Sequence, residues 1–450
     1  MNVSEREVDF HEMDYKITQC RSRNSDRLLW LAFTFTLTYI VVSHLSPATL
    51  FPDLARRGIV IWIAAAAALT CLYRTVFHPT LWRSTYPYLM LGLTASVAIS
   101  RISSSGVLEA LREFLSSSIV FFLTIAVLDK VSKIRIFGFV VAFAALFLLT
   151  QCFYNWNGHE ARGPHVYWQN VEDSQGHVIK TFPRLESVGF LADANDFAQF
   201  LLVAASLLTL AWKPRQHARN IVLVVLPMLY LLCGVHATYS RGGMIGLAVF
   251  TFLISNIKLN KSVSLMLAGV VLGASLLTYP AGPKVVTPHE QSAGGRIQAW
   301  DSGITMFRAS PIFGIGFERF DQAHGRAAHN SLVQCLAELG IVGCLFWLSL
   351  IGFALVDLSS ANSSTTEIRY TAYSVRTALI TFLVTAWFLS RSYTMTLYVL
   401  LGMAVAIQFA FSGEARISGG RYLKRWGLTL ALGIVGLFAL WATIQIWNLW

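Results

Sequence analysis

Thirteen apolar runs divide this chain, each close to the ~20 residues that carry an α-helix across a bilayer. They fall at about 28–45, 58–73, 86–100, 112–128, 134–153, 190–212, 220–239, 243–257, 262–279, 331–356, 375–390, 395–411 and 427–447. In lipid a spanning segment must satisfy its own backbone, so runs of this kind form helices. The 450 residues are 55% hydrophobic and 13% charged, about half the charge that a soluble surface needs. The expected fold is therefore all-α, a polytopic transmembrane helical bundle of about 12–13 spans. The first 27 residues are polar and the first apolar run is long enough to stay in the membrane, so no cleavable signal peptide is expected.

The basic residues set the orientation. With the N-terminus in the cytoplasm, the segments on that side hold 21 of the 35 Lys and Arg, and those on the other hold 14. Short loops decide orientation, and "KPRQHAR", "KLNK" and "RISGGRYLKR" all fall on the cytoplasmic side. Two long loops, about 154–189 and 280–330, then lie outside. Connections of this length are functional or disordered, and these carry Trp, Tyr, His, Arg and Gly, so they read as ordered. The net charge of +11 thus follows membrane topology, and no nucleic-acid partner is expected. Cys20, Cys71, Cys152, Cys233, Cys335 and Cys344 show no CxxC or Cys/His spacing, so neither a disulfide framework nor a zinc site is indicated.

Four polar stretches fall on the outer side. In "FPRLESVGFLADANDFAQF", Asp193, Asn195 and Asp196 stand at the outer end of a span, downstream of Arg184. Helix capping accounts for the cluster as well as substrate binding does; Arg184 could pair with a carboxylate or face a substrate. In "HATYSRGGMIG", Arg241 stands in a tight connection before Gly242 and Gly243. It could be a snorkelling anchor, or an Arg with glycine amides beside it, which suits a phosphate oxygen. In "SAGGRIQAWDSGITMFRASPIFGIGF", Arg296 follows a second Gly-Gly, and Trp300 lies one turn on. This reads as an amphipathic helix over the membrane surface, closed by a turn at Pro311, Gly314 and Gly316. In "RAAHNSLVQCLAELGIVG", His329 and Asn330 stand at a helix entrance and Glu338 lies inside the apolar run. Nine residues put Glu338 about 180° round and ~13 Å from His329. Glu338 is thus expected to pair with a neighbouring helix and not to orient the His329 ring.

Two Arg and one His on one face suit a particular reaction. A lipid-linked sugar diphosphate needs fixed cations, with Arg preferred for its bidentate geometry. Diphosphate leaves as a stable anion and needs no general acid, while the acceptor hydroxyl can lose its proton to a His. No DxD pair stands on the outer face, so a metal-independent mechanism with no cofactor is expected.

The motifs also carry a resemblance. "G-x-x-x-D-x-N-D-F-A" at Gly189 to Ala198, "S-R-G" at Ser240 to Gly242 and "G-R-x-x-x-W" at Gly295 to Trp300 come in order. "P-x-x-G-x-G" at Pro311 to Gly316 and "H-N-S…E-L-G-I-V-G" at His329 to Gly343 complete the series. Together they resemble the bacterial O-antigen ligase/polymerase superfamily, membrane glycosyltransferases that use undecaprenyl-diphosphate-linked glycans. The likeness covers roughly residues 184–350. Ala194 stands where the family pattern has Pro, which puts the local turn in doubt.

The resemblance implies a bundle similar to GT-C-type glycosyltransferases, in the bacterial inner membrane, with two long periplasmic loops. It implies a cytoplasmic tail at 1–27, helices and the first loop at 28–183, the ligase-like core at 184–350 and further helices at 351–450. Arg241 and Arg296 would bind the diphosphate, and His329 would position or deprotonate the acceptor. Arg184, Asp193, Asn195, Asp196, Trp300 and Asn330 would line the substrate side, and Glu338 would support the His329 helix. The expected partners are an undecaprenyl-diphosphate-linked glycan donor, a lipid A-core or glycan acceptor, and membrane lipids. The expected activity is inverting transfer, ligation to lipid A-core first and O-antigen or exopolysaccharide polymerisation second. Transfer to protein hydroxyls and flipping of the lipid-linked glycan are further alternatives.

Overall fold

The computed structural model describes residues 26–46, 53, 57–77, 79–102, 105–157, 165–172, 178–280, 291–361, 365–412 and 419–448. The expected tail up to residue 25, Cys20 and residues 281–290 of the second long loop lie outside them. The first helices are α1 (Asp26–Leu45), α2 (Ile59–Phe77), α3 (Tyr86–Ser100), α4 (Val107–Val127) and α5 (Val131–Tyr154). Then come the strands β1 (His165–Glu172) and β2 (Val178–Glu186), followed by α6 (Ala194–Leu208) and α7 (His217–Ala237). After these stand α8 (Arg241–Ser255), α9 (Lys261–Leu277), α10 (Gln291–Ala309) and the single turn α11 (Phe320–His324). The chain closes with α12 (Ser331–Ser360), α13 (Thr366–Ala386), α14 (Met395–Ser412) and α15 (Gly419–Asn448).

Every expected apolar run lies on a helix, and the chain is a polytopic helical membrane protein. Among the described residues seven helices are long and apolar enough to cross a bilayer: α1, α4, α5, α6 with its extension to Ala211, α7, α12 and α15. α2, α3, α8, α9 and α14 are apolar but shorter. α13 is 21 residues long yet carries Glu367, Arg369 and Arg376. In α7 the backbone widens to a π-helix at Ile221–Val225, just before Pro227. Proline has no amide for the carbonyl four residues back and its ring crowds that carbonyl, so the turn opens.

The first long loop holds a structure that the search for spans passed over. β1 and β2 form an antiparallel hairpin in the register His165↔Glu186, Tyr167↔Arg184 and Gln169↔Phe182. The second long loop carries the expected helix, α10, which packs on α12 and α15.

The expected continuous span at 331–356 is broken. Gly340 has φ +63° and ψ −164°, outside helical space. The break frees carbonyls on one side and amides on the other, and the turn after α10 takes them up. Ile315 and Gly316 donate to the carbonyls of Ala337 and Glu338 at 2.9 and 3.1 Å. Ile341 and Val342 donate to those of Pro311 and Ile312 at 2.9 and 3.3 Å. Such pairing needs backbones in contact. A Cβ on Gly314 would lie 2.3 Å from the Glu338 carbonyl oxygen, and one on Gly340 would lie 2.4 Å from that of Ile312. Glu338 is buried at the break, and its Oε1 accepts from the Phe320 amide at 3.2 Å. Its partner is thus the backbone of the adjoining turn and not a neighbouring helix, because the break brings that turn against it.

Toward the opposite end, the Arg425 guanidinium donates to Asp357 (Nε to Oδ1, 3.1 Å) and the Tyr86 hydroxyl donates to Asp357 Oδ2 at 2.7 Å. All three side chains are fully buried, and the guanidinium also lies against the rings of Tyr86, Phe353 and Tyr422. The cluster joins α3, α12 and α15 where an unpaired charge would be costly.

Replacing Gly340 by Ala forces a left-handed φ on a side chain and a clash with Ile312, a cost of about 1–3 kcal/mol or more. The thermal midpoint in detergent is expected to fall for Gly340→Ala and to hold for Gly427→Ala, whose Cβ meets nothing within 4 Å. Equal midpoints for the two variants would rule out the stitched break.

Candidate functional site

Three helices begin beside one another, each with a side-chain cap. Asp193 Oδ1 accepts from the amides of Asn195 and Asp196 at 2.7 and 3.4 Å and starts α6. Ser240 Oγ accepts from Gly243 at 3.0 Å and starts α8. Asn330 Oδ1 accepts from Leu332 and Val333 at 2.9 and 3.0 Å and starts α12. Caps of this kind satisfy part of the first-turn amides and leave the positive end of the dipole at the helix entrance.

Two links hold the three entrances together. The Ser240 hydroxyl donates to Asn195 Oδ1 at 2.7 Å, which ties α8 to α6. The connection between α13 and α14 then ties α6 to α12. The guanidinium of Arg391 pairs through Nε and Nη2 with both carboxylate oxygens of Asp196, which is 3% exposed. The Arg391 amide donates to Ser331 Oγ at 2.8 Å, and that hydroxyl donates to the Leu389 carbonyl at 2.7 Å. On either side, the His329 amide donates to Ser390 Oγ at 2.8 Å and Ser392 Oγ donates to the Ser331 carbonyl at 2.7 Å.

Arg241 opens α8 with its guanidinium over the Tyr279 ring at 5.4 Å. The two glycines after it let the helix sit close, because a Cβ on Gly243 would lie 2.7 Å from that of Ala198 and one on Gly242 would lie 3.3 Å from Phe388. Arg184, on β2, donates to the Thr238 carbonyl at 2.9 Å, to Gln169 at 3.2 Å and to Asn195 Oδ1 at 3.4 Å. It therefore reaches the amide oxygen that Ser240 also holds, and it fixes the hairpin to the starts of α6 and α8.

His329 has φ +49°, a left-handed conformation in which histidine is enriched. It turns the chain from the α11 segment into the Asn330 cap. Its ring is held below the ordinary imidazole value of 6.5, first by burial and then by the charge of Arg296. Arg391 acts in the same direction, while Asp193 and Asp321 oppose it. The imidazole is thus neutral near pH 7 and free to take a proton.

The site brings Arg296, Asp193 and Arg391 around His329, and Arg184, Asn195, Ser240 and Arg241 into a second group joined to it through α6. Three of the residues expected on the substrate side have partners within the protein. Asn330 is buried, and its Nδ2 donates to the Trp387 carbonyl at 3.0 Å while Oδ1 caps α12, so it holds the entrance in place. Trp300 is 5% exposed and packs edge-on against Trp387 at 6.2 Å, so it docks α10 on the connection before α14. Asp196 is buried against Arg391. Ser390, Arg391 and Ser392 had no place in the sequence reading beyond one external charge. The signal was there: a carboxylate inside a span needs a cation, and "SRS" stands in a short connection on the same side.

Removing either partner of the Asp196–Arg391 pair leaves a charge that its surroundings no longer match, a loss of about 3 kcal/mol. Unfolding of Asp196→Asn, Arg391→Gln and the double variant in detergent is expected to show strong coupling, with the double variant well above the sum of the two losses. Additive losses would mean that the pair does not join the helix entrances.

Residues 226–348 match the family described as O-antigen ligase. The matched segment runs from α7 into the second half of α12 and carries Arg241, Arg296, His329, the Gly314 turn and the Gly340 break. No curated protein matches the chain. This segment, set in a bundle of apolar helices, is similar to the O-antigen ligase family.

Proposed function

We propose that the protein is an inverting, metal-independent glycosyltransferase of the bacterial inner membrane. It moves a glycan from undecaprenyl diphosphate to an acceptor hydroxyl on the periplasmic face, and the acceptor is lipid A-core. The observation that carries this reading is the place of His329 at the capped start of α12, where three helix N-termini meet, with the Arg296 charge acting on its ring.

In the proposed reaction Arg241 and Arg296 engage the diphosphate, and helix-entrance amides add their partial positive charge. A ring nitrogen of His329 takes the proton of the acceptor hydroxyl as its oxygen attacks the anomeric carbon. The bond from that carbon to the phosphate oxygen breaks, its electrons leave with the diphosphate, and the configuration inverts. The cations stabilise charge that grows on the leaving oxygen, so they favour the transition state over the bound donor.

Polymerisation, with another lipid-linked repeat as acceptor, uses the same donor chemistry. Deleting the gene separates the two readings: loss of a ligase leaves long polymer on the lipid carrier and a bare core, whereas loss of a polymerase leaves single repeats. Protein O-glycosylation would leave lipopolysaccharide intact and remove glycan from protein. A flippase would strand the donor in the inner leaflet.

His329→Ala is expected to lower kcat by about 10²–10⁴-fold with donor KM little changed. Arg241→Ala and Arg296→Ala are expected to lower kcat/KM for the donor. Because the base must be neutral, the rate rises with pH through the His329 titration, with its midpoint below 6.5. Removing the Arg296 charge lets the ring hold its proton to higher pH, so the acid limb of residual activity in Arg296→Gln moves upward. Full transfer by membranes carrying His329→Ala would refute the assignment of the base.

A further inference from the structure

The hairpin offers an aromatic side chain that the transfer chemistry does not use. Cross-strand partners in an antiparallel ladder share a face. One face of the hairpin therefore carries Tyr167 opposite Arg184 and Gln169 opposite Phe182, and the other carries Trp168 opposite Pro183. The first of these is turned to the site. Phe182 is buried, with its ring edge-on to Tyr239 at 5.6 Å and to Tyr279 at 5.8 Å. Tyr279 is also the ring beneath Arg241. Tyr167 stands one step along this face from Phe182, and it is 46% exposed.

We propose that Tyr167, with Gln169 and Arg184 beside it, forms a saccharide subsite that takes a pyranose ring of the donor glycan next to Arg241. This rests on the reading of the donor as a lipid-linked glycan. A pyranose has a face of C–H groups and a rim of hydroxyls. A phenol ring covers the first, and its hydroxyl together with amide and guanidinium groups can meet the second. The hairpin is fixed for this task, since Arg184 ties it to Thr238 and Asn195 and Phe182 anchors it among the aromatic rings.

The composition of the face favours sugar over lipid. Tyr167 stands beside Gln169 and Arg184, and Arg184 is turned to Thr238 and Asn195 of the site. Trp168 is 57% exposed, faces the other way and stands opposite Pro183. It is the hairpin's own control for an exposed ring on the opposite face.

The test uses the full chain in detergent and a single-repeat oligosaccharide freed from its lipid by mild acid, with affinity read by saturation-transfer NMR. Tyr167→Ala is expected to weaken binding about tenfold. Tyr167→Phe keeps the ring face and is expected to lose less than Tyr167→Ala, whereas Trp168→Ala and His329→Ala are expected to bind as the wild type does, the last separating glycan binding from transfer. The subsite is overturned if Tyr167→Ala binds normally, if Trp168→Ala loses as much, or if the wild type does not bind the oligosaccharide. Full transfer by His329→Ala with Tyr167-dependent binding intact would instead sink the proposed mechanism and leave the subsite standing.

Discussion

Asp196 lies in the first turn of α6, buried, on a segment apolar enough to cross a membrane. A carboxylate there is stable only with a cation, and Arg391 supplies it from the connection between α13 and α14. That pair determines much else. It pins residues 389–392 against α6, and the same residues grip Ser331 and the His329 amide. His329 is thereby fixed relative to α6, and α6 is fixed to α8 and Arg241 through Asn195 and Ser240. One ion pair and one side-chain hydrogen bond thus span the distance between Arg241 and His329.

A second constraint acts from below. The break at Gly340 gives α12 a short entrance segment, and its loose backbone groups are taken up by the turn that ends α10. α10 carries Arg296, so the stitched break also governs where that charge sits relative to His329 at the head of α12. The arrangement is preorganised: the groups that would meet a diphosphate are held by caps, glycine contacts and buried pairs and need no reordering when it arrives.

How much of this was legible differs from element to element. The helices were legible because lipid leaves an apolar run of ~20 residues little choice. α10 and the cap at Asp193 were legible because their signals are local. The hairpin was missed although "HVYWQNVE" and "VIKTFPRLE" are rich in β-branched and aromatic residues; a search for spans does not look for short alternating strands. The break in α12 was missed because a lone glycine in an apolar helix is common. Only the Pro311–Gly316 turn lying against it makes a non-helical φ there favourable.

By itself the sequence determined a helical membrane bundle, the stretches that hold polar groups, and the O-antigen ligase-like character of its central segment. All of these follow from runs and spacings along the chain, where hydropathy and short-range geometry decide. The tertiary structure decided which polar groups meet. Arg391 and Asp196 are 195 residues apart, and Glu338 found the Phe320 amide and not a facing helix. It also set Asn330 and Trp300 against Trp387 and left Tyr167 exposed. A buried polar group takes its partner from whatever the fold brings within hydrogen-bond reach, and separation along the chain does not encode that choice.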